Sequence, residues 1–78
     1  MITEFQMDFV QQNGNPRLGR MVSTDTLATV EAAGYVDAYI INANIALEST
    51  DFIAVAASNG NKWMYPSLSA GVWTLNPI

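Results

Sequence analysis

The stretch that most limits what this chain can fold into is residues 51–75. It reads Asp-Phe-Ile-Ala-Val-Ala-Ala-Ser, then Asn-Gly-Asn, then Lys-Trp-Met-Tyr-Pro-Ser-Leu, and after Ser-Ala-Gly it closes with Val-Trp-Thr-Leu. Asn-Gly between two apolar and aromatic runs is a strong hairpin signal, because a type I′ turn needs φ > 0 at both central positions. With Asn59 and Gly60 at those positions, Ala57 faces Lys62, Ala56 faces Trp63, Val55 faces Met64 and Ala54 faces Tyr65. Phe52, Ala54, Ala56, Trp63 and Tyr65 then share one face, and Ile53, Val55, Ala57 and Met64 share the other. Both faces are apolar, whereas a solvated antiparallel hairpin alternates apolar with polar. Something must cover each side.

Little of the chain is free to do so. Seventy-eight residues make one small domain, which buries roughly 60% of the surface its unfolded chain exposes. Cysteine and histidine are both absent. That removes disulfides, thiolate chemistry and the commonest general base and transition-metal ligand. Charged residues are 13% of the chain, against about 25% in an ordinary domain, which suits an outer surface lying against a partner, a monomer coated with Ser, Thr, Asn and Gln being the alternative. The net charge is −4, with Arg17, Arg20 and Lys62 the only cations, so phosphate neutralisation on nucleic acid is not expected. No run approaches the roughly 18 apolar residues of a membrane helix, and the start of the chain lacks the basic and apolar regions of a signal peptide. The chain is expected to be made and kept in the cytoplasm, or to reach the outside as part of a larger particle.

In residues 2–10, Phe5, Met7 and Phe9 alternate with Glu4, Gln6 and Asp8, the period of a half-buried strand. It is expected as an ordinary strand of the same sheet, docking on a neighbour being the alternative. A second Asn-Gly at Asn13 and Gly14 suggests pairing with residues 17–22, where Gly19 marks a bulge or a close backbone approach. Residues 1–16 are expected as an N-terminal arm, strand and turn, and 17–78 as the domain proper. The clearest helix spans residues 23–34, capped by Thr24 or Ser23, with Asp25 in the first turn, Leu27, Val30, Ala28 and Ala33 as its stripe and Gly34 at its end. Residues 35–50 fit a helix through Val36, Tyr39, Ile40, Ala43 and Leu47, but Ile41 and Ile45 fall off that stripe. A short extended piece and a loop are expected instead. Pro66 should end the paired part of its strand or lie on an edge, residues 67–71 turn the chain, and Val72 to Leu75 supply a last strand. The fold class is α+β: a small, mostly antiparallel sheet or open barrel with one short helix.

No pattern of residues marks an active site. Asp25, Glu31, Asp37, Glu48 and Asp51 are scattered without acid/base or calcium-loop spacing, and no phosphate-binding or nucleophile motif occurs. Neither a catalytic role nor a cofactor is expected. Trp63, Tyr65 and Trp73 could stack on sugar rings, but core or subunit-interface anchoring is the stronger expectation.

The segment Val-Ser-Thr-Asp-Thr-Leu-Ala-Thr-Val-Glu-Ala-Ala-Gly-Tyr-Val, residues 22–36, resembles a module of small tailed-phage structural proteins. The resemblance continues through Leu47, Thr50-Asp51-Phe-Ile-Ala-Val, the Ser-Asn-Gly turn and Ala-Gly-Val-Trp-Thr-Leu at 70–75. It implies a non-enzymatic virion component, foremost a capsid decoration (cement) protein: one that sits on the capsid surface, often as a trimer, and bridges major capsid protein subunits. Synthesis in the host cytoplasm goes with this. A tail, fibre or baseplate component and a small carbohydrate-binding module are the alternatives. The expected interface residues are Phe5, Phe9, Trp63, Tyr65 and Trp73, with Arg17 and Arg20 as polar partners for an acidic capsid surface.

Overall fold

The computed structural model describes residues 1–10 and 17–78, the side chains of residues 8–10 excepted. The described elements are β1 (Ile2–Val10), β2 (Arg17–Ser23), α1 (Leu27–Val30), α2 (Asp37–Asn42), β3 (Phe52–Ala57), β4 (Gly60–Ser69) and β5 (Val72–Pro77). The strands form one open sheet in the order β1-β2-β3-β4-β5. Every neighbouring pair is antiparallel except β2 and β3, which run parallel. A parallel pair needs a long crossover, and residues 24–51 supply it, carrying both helices across one face of the sheet. This is a small α+β fold, as expected from the sequence, with the parallel pair at its centre.

The crossover is not the expected one. The helix foreseen over residues 23–34 is only α1, Leu27–Val30, capped by Thr26, whose Oγ1 accepts from the Thr29 amide. Ser23 and Thr24 are taken by the sheet instead: Ser23 closes β2 opposite Ile2, and the Thr24 amide donates to the Met1 carbonyl at 2.9 Å. Ala28 and Ala33, half of the expected stripe, are exposed. The extended piece foreseen within residues 35–50 is replaced by α2. That helix ends in a Schellman motif: Asn44 has φ +58°, and the amides of Ile45 and Asn44 donate to the carbonyls of Ile40 and Ile41. Val36, Ile40 and Leu47, three residues of the helical stripe, are buried, while Ile41 is 76% exposed.

The core lies between crossover and sheet. Met21, Val30, Val36, Ile53, Val55, Met64 and Leu75 are almost wholly buried, with Ile2 and Phe5 of β1 beside them. The Phe5 ring stacks on Tyr39 of α2 at 6.1 Å between centroids. The early residues therefore form a working strand of the sheet. Gly19, opposite Met7, shows the close approach its sequence suggested. A Cβ there would lie 2.4 Å from Met7 Sδ and 2.7 Å from the Gln6 carbonyl oxygen. The second Asn-Gly lies outside the described residues.

The β3–β4 hairpin turns one residue earlier than Asn-Gly predicts. Ala57 pairs with Gly60, Ala54 with Trp63 and Ile53 with Met64, so Ser58 and Asn59 form the turn. Asn59 does not take up positive φ. Its Oδ1 accepts from the Leu27 amide at 2.9 Å, and the Ser58 amide donates to the Asp25 carbonyl at 2.9 Å, pinning the turn to the start of α1. The type I′ pattern appears instead between β4 and β5, where Ala70 and Gly71 have φ of +53° and +80°. The register differs from the expected one by two residues, so every side chain keeps its face. Pro66 splits the work of β4: pairing with β3 ends at Met64, while pairing with β5 continues through Pro66 opposite Leu75.

Candidate functional site

The face of the sheet turned away from the crossover has no described element over it. Strand alternation puts Leu18, Arg20 and Val22 of β2 there, with Phe52, Ala54 and Ala56 of β3 and Asn61, Trp63 and Tyr65 of β4. Trp63 is 54% exposed, Tyr65 40% and Phe52 36%. Such large apolar groups, contiguous and rimmed by polar ones, mark an interaction surface more often than bare solvent contact. Two residue sizes shape it. Arg20, Ala54 and Trp63 stand in one row across three strands, so the two methyl-bearing residues of β3 floor a trough between taller walls. The trough measures about 370 Å³ and is lined outwardly by Arg20, Val22, Ala54, Ala56, Asn61 and Trp63. Toward the edges the face turns polar, with Glu4 and Gln6 on β1 and Thr74 and Asn76 on β5.

Among the described side chains, the charge on this face is balanced. Arg20 forms an exposed ion pair with Glu4. Arg17, expected as a partner-seeking cation, is spent elsewhere. Its Nε and Nη2 donate to the two carboxylate oxygens of Asp51 at 2.8 and 2.7 Å, and Nη2 also donates to the Ala46 carbonyl at 2.8 Å. The hydrogen bond to Asp51, opposed by burial and aided by the charges of Asp51 and Glu48, raises the Arg17 pKa above its ordinary value. Lys62, the remaining cation, lies 3.7 Å from Glu31. Both arginines expected to meet an acidic partner are thus engaged in ion pairs within the fold, Arg17 with a buried carboxylate and Arg20 with an exposed one.

The other expected interface residues separate. Trp63 and Tyr65 meet on the open face. Phe5 is a core residue, and Trp73 packs against the core with its backbone tied to the crossover: its carbonyl accepts from the Gly34 amide at 2.9 Å, and its amide donates to Asp37 Oδ1 at 3.1 Å. Neither serves as a surface anchor on that face. The Phe9 side chain lies outside the described residues. The sequence pattern placed Ala54 and Ala56 on this face but did not single out Leu18 and Val22, whose signal is their alternation with Gly19 and Met21 along β2.

The chain matches no known protein family, no curated protein and no solved structure.

A second polar cluster joins the start of β1 to the crossover. Asp25 Oδ2 accepts from the Met1 ammonium at 2.7 Å and from the Tyr35 hydroxyl at 2.5 Å, and the Ser23 hydroxyl lies 2.6 Å from that of Tyr35. The ammonium first, then the phenol, holds the Asp25 carboxyl below its usual range. Burial first, then the bond to Asp25, pushes the Tyr35 phenol up. The Met1 ammonium, Asp25 Oδ2 and the Tyr35 and Ser23 hydroxyls bond to one another, so the cluster works as a clasp between the start of the chain and the crossover.

Proposed function

We propose that this chain is a non-enzymatic structural protein of a tailed-phage particle, foremost a capsid decoration protein, and that it works by laying its open sheet face on protein. The observation that carries the reading is the uncovered apolar centre of that face, Phe52, Ala54, Ala56, Trp63 and Tyr65. A chain this small stays exposed there unless another surface covers it. The resemblance of residues 22–36 and 47–75 to small phage structural modules supplies the particle. Because the described side chains of the face carry only the Glu4–Arg20 pair, the matching patch on the shell is apolar and neutral rather than acidic.

Capsids assembled with and without the chain test this. Bound chain raises their resistance to heat, and Trp63→Arg abolishes binding while leaving the chain folded. Unchanged particle stability, or density on the tail in place of the shell, counts against it. One observation favours a second reading as a carbohydrate module: the half-exposed indole of Trp63 beside the Asn61 amide and the Arg20 guanidinium could stack a sugar ring. A glycan panel that leaves Trp63 fluorescence unchanged removes that reading.

A further inference from the structure

We infer that in the free protein the open face is closed by a second copy of this chain, packed face to face about a twofold axis running along the strands between β3 and β4. The inference rests on the reading of this face as a protein interface, and it names what occupies the face before the particle does.

The shape of the face is complementary to itself. Ala54 and Trp63 are cross-strand partners, so a small and a large side chain share a row one strand spacing apart, about 4.8 Å. A twofold axis midway between those strands sets β4 of each copy over β3 of the other at the same height. Each Trp63 then enters the alanine trough of the facing copy, and the next row along sets Tyr65 against Phe52. This is the reciprocal contact that an isologous interface requires. Strand directions in the two sheets stay aligned, as packed sheets demand. The apolar centre on β2–β4, flanked by Glu4 and Gln6 on β1 and Thr74 and Asn76 on β5, has the core-and-rim layout of a protein interface.

Charge agrees, and area sets the strength. The chain is acidic overall, yet Asp25, Glu31, Asp37, Glu48 and Asp51, five of its seven carboxylates, belong to the crossover, behind the sheet. Joining two open faces buries no unpaired charge among the described side chains and keeps the acidic crossovers apart. With the axis between β3 and β4, β1 of each copy overhangs and β2–β5 of the two copies overlap. Four strands at about 4.8 Å, each presenting some six residues at about 3.3 Å, give an overlap of roughly 19 by 20 Å. Two such faces, taken as flat, come to roughly 760 Å², below the ~1,000 Å² at which stable specific interfaces begin. The pairing is therefore concentration-dependent, and docking on a shell exchanges the second copy for the capsid. Edge-to-edge pairing is opposed on both sides. β1 carries register breaks at Ile2/Glu4 and Met7/Phe9, and β5 is held at Trp73 by Gly34 and Asp37, both of which blunt an edge.

Light scattering and sedimentation equilibrium across a wide concentration range test the inference on the full chain. The mass is expected to rise from one chain to two. Ala54→Arg, an outward substitution that fills the trough, is expected to remain at the mass of one chain with an unchanged circular dichroism spectrum. Should that variant misfold, Trp63→Ala serves, weakening association by about tenfold or more. A single chain at every concentration, a trimer, or a dimer indifferent to these substitutions overturns the inference. Particle binding by the same variants separates it from the reading on which it rests. A monomeric parent whose particle binding is lost in Ala54→Arg overturns the second copy and leaves the docking face standing. A dimer sensitive to Ala54→Arg, with particle binding insensitive to it, does the reverse.

Discussion

Arg17 and Asp51 are locked together by two parallel hydrogen bonds of 2.8 and 2.7 Å. The pair joins the first residue of β2 to the residue just before β3, where the crossover returns to the sheet. Asp51 is fully buried, and its Oδ2 also accepts from the Glu48 amide at 2.8 Å. The fork-to-fork geometry fixes the register of the parallel pair as a point charge could not. Arg17→Met leaves that carboxylate buried without its counter-charge and is expected to cost about 3–5 kcal/mol. The double substitution Arg17→Met with Asp51→Leu is expected to cost clearly less than the sum of the singles. Urea denaturation of all four proteins measures the coupling, and additivity would refute it.

Gly19→Ala is expected to destabilise by about 1–3 kcal/mol, the usual cost of forcing atoms into filled space. Removing the side-chain clash with Met7→Ala should not restore the loss, because the Gln6 carbonyl oxygen, 2.7 Å from the added carbon, is backbone. Thermal melts of the single and double variants decide this.

The turn at Ala70 and Gly71 is suboptimal. Alanine sits at φ +53°, where asparagine is tolerated better and L-residues with a Cβ otherwise pay in sterics. Ala70→Asn is expected to raise stability by up to about 1 kcal/mol, read as a higher urea midpoint at unchanged slope.

Tyr35 makes stability fall in alkali. Its phenol is raised above the ordinary tyrosine value in the folded chain. The stabilisation from this shift is therefore complete below about pH 10 and is lost as the pH climbs through the raised folded value. Tyrosinate absorbance should show a step above the ordinary range that Tyr35→Phe lacks, and the variant's stability should depend less on pH there. For Asp25, whose carboxyl is lowered, the contribution is present above about pH 4 and is lost as the pH falls through the folded value.

The two tryptophans report the two sides of the sheet. With Trp73→Phe, emission comes from Trp63 alone and should lie to the red; with Trp63→Phe, it comes from Trp73 against the core and should lie to the blue. Ile53→Ala is expected to cost about 2–5 kcal/mol as a core truncation. Trp63→Ala should cost far less in the isolated chain, because its outward face has nothing described to lose.

Much of this was legible in the residues themselves. Strand alternation at Phe5 and Met7, the double apolar character of residues 52–65, the need for close approach at Gly19 and the presence of one uncovered face all follow from periodicity and side-chain size. These are local quantities, or parity quantities that survive a shift of two residues, which is why the faces were right although the turn was misplaced. What local pattern could not supply was competition for the same atoms. Asn59 forgoes positive φ because its amide oxygen binds the Leu27 amide, α1 starts late because Ser23 pairs in the sheet and the Thr24 amide binds the Met1 carbonyl, and α2 forms because the buried Val36 and Ile40 outweigh the exposure of Ile41. Asp51 likewise reads as a turn residue until the parallel pairing of β2 with β3 brings Arg17 to it from far along the chain. Solvent exposure of a face can be reasoned from sequence, but which backbone and side-chain groups satisfy one another depends on which distant segments meet, and only the closed tertiary structure decides that.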